Sequence, residues 1–344
     1  MTKSQTSVNE ASLSKKVSIQ ERSVLVGDII FVNGHGVNRT ALTQRFAEGG
    51  YQVQETPHFL LFTRSEAPTT ILAHWFSPEE MNAEIKHYIM YELKPMGLIQ
   101  TSQDFGMVLS GLIGSFFPDD TRSAWHGYAA KTLQRFLLFL STSRTPTLPA
   151  FDFYATIGTF ATQYQRVGEL CVGETFLDAG CESGFLPLII AERIPFMSRV
   201  VGVDIRPDLF SVMRELAKEQ NLSTVEFVQA NLLEDQLDQL GQFDTVTALA
   251  VLEHFSETEM YRVLTNLLRI TAQRLIVTVP YEQEAETIYE HKQLFTREKL
   301  EAVGRWCLQT LDGKGRMWCE DCDGGLLLIE KQPVTLAKIG AGAA

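Results

Sequence analysis

The chain has no apolar run approaching the ~20 residues that a membrane-spanning helix needs, so nothing in it reads as a membrane span. Its first stretch, Met1 to Arg22, is polar and lacks the apolar centre of an export signal, which leads one to expect a cytoplasmic protein. Cysteine is scarce. Cys171, Cys181, Cys307, Cys319 and Cys322 are odd in number and lack framework spacing, so a disulfide scaffold is not expected and a reducing compartment is. Positive charge is also short: 30 Lys and Arg stand against 42 Asp and Glu, for a net charge of −12 and a pI near 5.1. Neutralising a phosphate backbone needs a basic face, so nucleic acid is not expected as the main partner. What remains is ordinary globular composition, 45% hydrophobic and 21% charged over 344 residues, long enough for two domains.

The pattern along the chain divides it. Residues 1–22 and 333–344 read as tails. Residues 23–150 read as an accessory, α+β and helical domain, placed to act as a substrate lid. In it, 24–32 is strand-like, and Thr40 to Glu48 reads as a helix with Thr40 as its cap. Residues 51–55 and 58–63 pair as a hairpin around Pro57, and 70–75 adds a strand. Ser77-Pro78-Glu79-Glu80 is a helix start, with helical spacing continuing through Leu93. Leu98 to Phe117 and Thr121 to Leu140 read as further helices, and Ser141 to Pro149 as a linker. Residues 151–332 then alternate strand and helix, which predicts a doubly wound, mostly parallel sheet. Strands are expected at 175–178, 199–204, 224–229, 243–249, 274–279, 306–311 and 325–330. Helices are expected at 208–219 and, behind the capping box Ser256-Glu257-Thr258-Glu259, at 257–270.

One stretch organises this second half: Thr175-Phe176-Leu177-Asp178-Ala179-Gly180-Cys181-Glu182-Ser183-Gly184-Phe185. It reads as a buried strand, a glycine turn and the start of a helix, the device by which doubly wound sheets hold nucleotide-like ligands. A dinucleotide site would want G-x-G-x-x-G. Here Glu182 stands between Gly180 and Gly184, and Asp178 ends the strand. Two carboxylates at a helix N-terminus repel a pyrophosphate and suit a cation.

At these residues the chain resembles the class I S-adenosylmethionine-dependent methyltransferases, whose first motif is (D/E)-x-G-x-G-x-G. The resemblance spans about residues 151–331 and departs at Glu182, where the family usually has glycine. It implies a seven-stranded Rossmann-like sheet with an antiparallel last strand and S-adenosylmethionine as cofactor. Asp178, Gly180, Cys181, Glu182 and Gly184 would hold the cofactor, with Asp204 and Ile205 at the second strand end. Asp204 would accept the ribose hydroxyls. Asn231 and Leu232 after the third strand would face the adenine, and Ala250 after the fourth the sulfonium. Asp204 as a helix cap, and Asn231 as an ordinary turn residue, are the competing structural readings.

Val251-Leu252-Glu253-His254 resembles the same place in small-molecule O-methyltransferases of the ubiquinone-biosynthesis type. It also resembles the small-RNA 2′-O-methyltransferases, in which Glu-x-x-Glu-His and a later His hold a metal. Here Ala250 replaces the first Glu, while His291-Lys292 to Thr296 resembles the later segment; no metal is expected. Methyl transfer needs a positioned nucleophile and a proton acceptor. His254 is the first candidate base; His291 and Tyr281 follow, with Glu253 lining the acceptor side. The expectation is an enzyme that methylates a small-molecule acceptor, at oxygen and in specialised metabolism. The alternatives are a metal-assisted RNA 2′-O-methyltransferase and a non-catalytic module that binds a ligand or partner. Cys319 and Cys322 form a lone C-x-x-C, read as two ordinary thiols in a loop. His74, Trp75, Phe76, Trp125, His126, Tyr128, Phe151, Phe153 and Tyr154 read mainly as core, with an acceptor-covering role as the functional alternative.

Overall fold

The computed structural model describes residues 22–65, 69–141 and 157–332. Residues 1–21 and 333–344 of the two tails, the linker after Ser141, and Phe151, Phe153 and Tyr154 lie outside the described residues. Strands β1 (Ser23–Val26), β2 (Ile29–Asn33), β3 (Gln52–Glu55), β4 (Phe59–Thr63) and β5 (Thr70–His74) form a small sheet in the order β1-β2-β5-β4-β3. Helix α1 (Arg39–Glu48) sits between β2 and β3. Its cap is Asn38, whose side chain accepts the Ala41 N–H, and not the expected Thr40. The Ser77 capping box forms, but it opens only a single tight turn, Pro78–Glu80. Asn82 then takes the Glu84 N–H on its side chain at 3.0 Å and restarts the chain as α2 (Glu84–Tyr88). A π turn follows at Ile89–Leu93. The expected single helix through Leu93 is therefore three pieces.

Helices α3 (Ser102–Gly114) and α4 (Thr121–Ser141) follow. The start of α3 is later than expected because Thr101 and Asp104 form a reciprocal capping box there. An unforeseen helix, α5 (Ile157–Leu170), leads into the second half.

That half is an α/β unit: β6 (Thr175–Ala179), α6 (Phe185–Arg193), β7 (Arg199–Asp204), α7 (Phe210–Glu219), β8 (Val225–Gln229), β9 (Phe243–Leu249), α8 (Glu257–Ile270), β10 (Thr271–Val279), α9 (Arg297–Thr310), β11 (Gly315–Asp321) and β12 (Gly325–Lys331). The seven strands run in the order β11-β12-β10-β9-β6-β7-β8. The pairs from β8 across to β10 are parallel, and β12 is antiparallel to both its neighbours. This is the expected doubly wound, mostly parallel sheet with an antiparallel last strand. Strand order reverses between β6 and β9, the place at which doubly wound sheets form a ligand crevice outside the carboxyl ends of their strands.

One expected strand is absent. Residues 306–310 belong to α9, with Leu311 as its C-cap; Thr296 caps the start of the helix, which buries Leu300, Val303, Gly304 and Cys307 on one face. The apolar spacing is helical across the whole segment, and that outweighs the strand-like composition of its last turn. The strand is Gly315–Asp321 instead, so Cys319 lies in β11 rather than in a loop.

A single apolar cluster joins the two halves. It runs from Phe31 and Leu72 of the small sheet through Leu112, Tyr128 and Leu133 of α3 and α4 to Phe185, Leu188 and Met213 of α6 and α7. Helix α8 shows how the main sheet is covered. Met260, Val263, Leu264, Leu267 and Leu268 fall on one stripe and are all 3% exposed or less.

Candidate active site

The glycine turn after β6 is built by backbone constraints. Gly180 takes a φ of 78° and Gly184 one of 83°, the left-handed region that costs glycine nothing. A side chain at Gly180 would also fall 2.6 Å from Val251 Cγ2. The Gly180 and Cys181 N–H groups donate to the Val203 carbonyl at 2.7 and 2.9 Å, fixing the turn against β7. Cys181 points inward and is 8% exposed. Glu182 stands at φ 46°, left-handed although it carries a side chain. Ala250, after β9, does the same at φ 51°. Strained positions of this kind persist only where the surroundings enforce them, and they gather at functional sites.

Asp204 ties the crevice together. Its Oδ2 accepts the Glu182 N–H at 2.8 Å and its Oδ1 the Arg206 N–H at 2.9 Å. Each oxygen keeps a lone pair for a further donor. Ile205 beside it is 58% exposed, an apolar face left open. Asn231 closes a turn of its own: its Oδ1 accepts the Leu233 N–H at 3.0 Å and its amide reaches Glu234 at 3.4 Å. That is the competing structural use foreseen for it. The Leu232 side chain is buried in the core.

Asp178 is 4% exposed and takes one side-chain hydrogen bond, from Thr247 Oγ1 at 2.8 Å. Burial raises its pKa to about 7, against the hydrogen bond from Thr247 and with help from the charge of Asp204. Glu182 meets Lys86 of α2, Nζ to Oε1 at 2.8 Å. Lys86 holds the Glu182 carboxyl below its usual range, and Glu182 in turn outweighs the burial that works against the Lys86 ammonium.

On the other side of the crevice, Glu253 and His254 sit in a short 3-10 turn after β9. Glu253 is 1% exposed, and neither carboxylate oxygen has a hydrogen-bond partner. Burial pushes it up to about 8. The rings of His254 and His291 lie edge to face with centroids 5.0 Å apart. Burial first, and then His291, lower the His254 pKa, so its imidazole is neutral at neutral pH. His291 Nδ1 bonds Glu282 at 2.8 Å, which leaves Nε2 with its lone pair when that bond is donated. One ligand atom from each of Glu253, His254 and His291 lies within 4.8 Å of the others. A carboxylate and two imidazoles are a donor set that could hold a divalent cation.

Tyr281 does not join this group. It bridges to Phe295, its hydroxyl lies against Gly325, and Asp321 and Arg297 are the charges beside it. Lys86, Thr247, Glu282 and Tyr289 were not legible as site residues. Cys319 packs against the α8–α9 side of the sheet and Cys322 on the α5–α6 side, so the two thiols lie on opposite faces.

A family model described as a methyltransferase domain matches residues 176–274. The chain carries a class I S-adenosylmethionine-dependent methyltransferase domain. Within the curated proteins, a ubiquinone biosynthesis O-methyltransferase of Acinetobacter baumannii (strain AYE) is 33% identical over 90 residues, 26% of this chain and 36% of that protein. A magnesium-protoporphyrin O-methyltransferase of Rhodobacter capsulatus is 29% identical over 119 residues, 35% of this chain and 50% of that protein. The chain thus spans half or less of the length of these curated relatives. Among solved structures, an O-methyltransferase family protein from Burkholderia thailandensis covers 86% of this chain and 84% of that one, at 15% identity and a TM-score of 0.45.

The methyl donor of this methyltransferase domain is S-adenosylmethionine. The residues present fit it. Asp178 is a buried carboxyl with a single hydrogen bond, and a cation beside it would restore its charge. Asp204 has unspent lone pairs for a diol, and Ile205 offers an exposed apolar face. No helix among the described residues is long and apolar enough to cross a membrane.

Proposed function

We propose that the protein transfers a methyl group to a hydroxyl of a small-molecule acceptor. The observation that carries this reading is the convergence of His254, His291 and Glu253 beside the glycine turn. Val251, three residues before His254, packs against Gly180, so donor turn and proton acceptors share one crevice. Bound S-adenosylmethionine supplies an electrophilic methyl carbon, and transfer to an oxygen is an in-line displacement. Asp178 and Glu182 hold the cationic end of the cofactor, Asp204 its ribose hydroxyls, and Ile205 covers the adenine. His254 Nε2 or Nδ1 is free to take the acceptor's proton, because burial keeps that ring neutral. His291, held by Glu282, is the second acceptor. Tyr289, 42% exposed and in edge contact with Phe105 at 5.9 Å, gives the acceptor an aromatic wall. The relatives' names, both O-methyltransferases, favour oxygen as the atom methylated.

The test is methyl transfer from labelled S-adenosylmethionine to a panel of phenolic and alcoholic acceptors, with Asp204→Ala as control. Calorimetry should give micromolar cofactor binding that the control loses. Absence of binding to the wild-type protein would refute the reading and favour a non-catalytic module. A second reading, metal-assisted transfer, is favoured by one observation: the buried Glu253 carboxylate has no partner. Chelation followed by Mn²⁺ addition separates the two, since base catalysis alone is indifferent to both.

A further inference from the structure

The Lys86–Glu182 pair is unlike the other charge contacts between the two halves. Lys94 to Glu286 at 2.7 Å, His126 to Glu219 at 3.2 Å and Arg122 to Glu215 also join the halves, but none of them involves a residue of the glycine turn. Lys86 instead reaches across 96 residues of sequence to the one turn position where the family usually has glycine. Glu182 is held there in a left-handed conformation that a side chain disfavours. A stabilising or functional gain has to offset that strain. The pair is also open on one side. The Lys86 side chain is 18% exposed and that of Glu182 60% exposed, so a carboxylate and an ammonium stand next to each other at the wall of the crevice. The buried Tyr128 hydroxyl behind them has no hydrogen-bond partner, and Lys86 is the first charge bearing on it.

An anion and a cation side by side are the complement of a zwitterion, because a second pair laid antiparallel gives four alternating charges with every neighbour attractive. The amino-acid end of S-adenosylmethionine is such a zwitterion. We propose that Glu182 and Lys86 together clamp that end, Glu182 taking the α-ammonium and Lys86 the α-carboxylate. The N-terminal region then supplies a cofactor-binding residue, and the cofactor site is incomplete without it. This rests on the cofactor reading above, and it accounts for Glu182 as a gain: a glycine there could not recruit Lys86.

The test compares two ligands that share adenosine and the thioether. S-adenosylhomocysteine carries the zwitterion; 5′-methylthioadenosine lacks it. Titration calorimetry with wild type, Lys86→Gln, Lys86→Arg and Glu182→Gln is expected to show at least a tenfold loss of S-adenosylhomocysteine affinity in both Gln variants. Binding of 5′-methylthioadenosine should stay within twofold, which also reports that the adenosine site is folded. Lys86→Arg should keep most of the affinity for S-adenosylhomocysteine. Equal losses for both ligands would mean that the pair only staples the two halves, and would overturn the proposal. Unchanged binding of both would overturn it too, leaving Lys86 to the acceptor side. If wild type bound neither ligand, the cofactor reading itself would fall, and the clamp with it.

Discussion

Asp178 gives the most demanding test of how this crevice handles charge. In the free protein its carboxyl is buried, with one hydrogen bond from Thr247, and its pKa is about 7. A sulfonium or ammonium beside it favours the ionised form, so binding must release a proton wherever Asp178 starts protonated. At pH 6.0 about ten in eleven molecules are protonated, and at pH 7.5 about one in four. If the bound carboxyl titrates well below 6, the affinity for S-adenosylmethionine is roughly eightfold weaker at pH 6.0 than at pH 7.5, about 1.2 kcal/mol. Both pH values keep the cofactor's α-amino group mostly protonated. Calorimetry in two buffers of different ionisation enthalpy reads the proton release directly. Asp178→Asn, which can still accept from Thr247, should bind more weakly at pH 7.5 and show no such dependence. The free-protein stability has the matching sign. The unfolded chain loses this proton first, so the folded carboxyl costs about 1.4 kcal/mol for each pH unit between about 4 and 7. Asp178→Asn should therefore melt higher than wild type at pH 7.5. Equal affinities at the two pH values, or a pH dependence that survives in Asp178→Asn, would refute the reasoning.

His254→Ala and His291→Ala are each expected to lower turnover by roughly 10²–10⁴ while S-adenosylhomocysteine binding stays within about threefold; full turnover in both would remove the base assignment. His74 is fully buried between Ser115 Oγ at 2.8 Å and the Phe76 N–H, and burial lowers its pKa to about 3. Because the unfolded chain takes up this proton near pH 6.5, His74's own contribution to stability should fall as pH drops, so the stability of wild type relative to His74→Asn should shrink by about 2 kcal/mol between pH 7.5 and 5.0. Urea midpoints for wild type and His74→Asn check this, and an identical acid loss in the variant would contradict it. Cys319 and Cys322 lie on opposite faces of the sheet, and burial pushes the Cys319 thiol up to about 11. Cys319→Ser and Cys322→Ser should leave metal content and redox behaviour unchanged, and thiol reagents should react slowly until the protein unfolds. A fast-reacting pair would be evidence against that.

The sequence by itself determined the second half of the fold, because its signals are local. Strands 199–204 and 243–249 and the helix 257–270 stand where periodicity and a capping box put them. So does the turn at Gly180 and Gly184, where only residues without a Cβ are at ease. The segment 306–311 misled because a short apolar run reads equally as strand or helix; the choice came from Leu300 to Cys307 sharing one buried face. The acids Asp178 and Asp204 were legible at strand ends, but their behaviour was not. Burial, with help from the charge of Asp204 and against the hydrogen bond from Thr247, makes Asp178 titrate near 7. Asn231 shows the limit from the other side, since its amide is taken up by its own turn. What tertiary structure alone decided is which distant side chains meet. Lys86 reaches Glu182, Glu282 holds His291, and His254 and His291 come within ring contact. Spacing along the chain carries no information about such pairs. The Lys86–Glu182 pair follows from the shared core of α3, α4, α6 and α7, whose apolar packing fixes how the two halves approach.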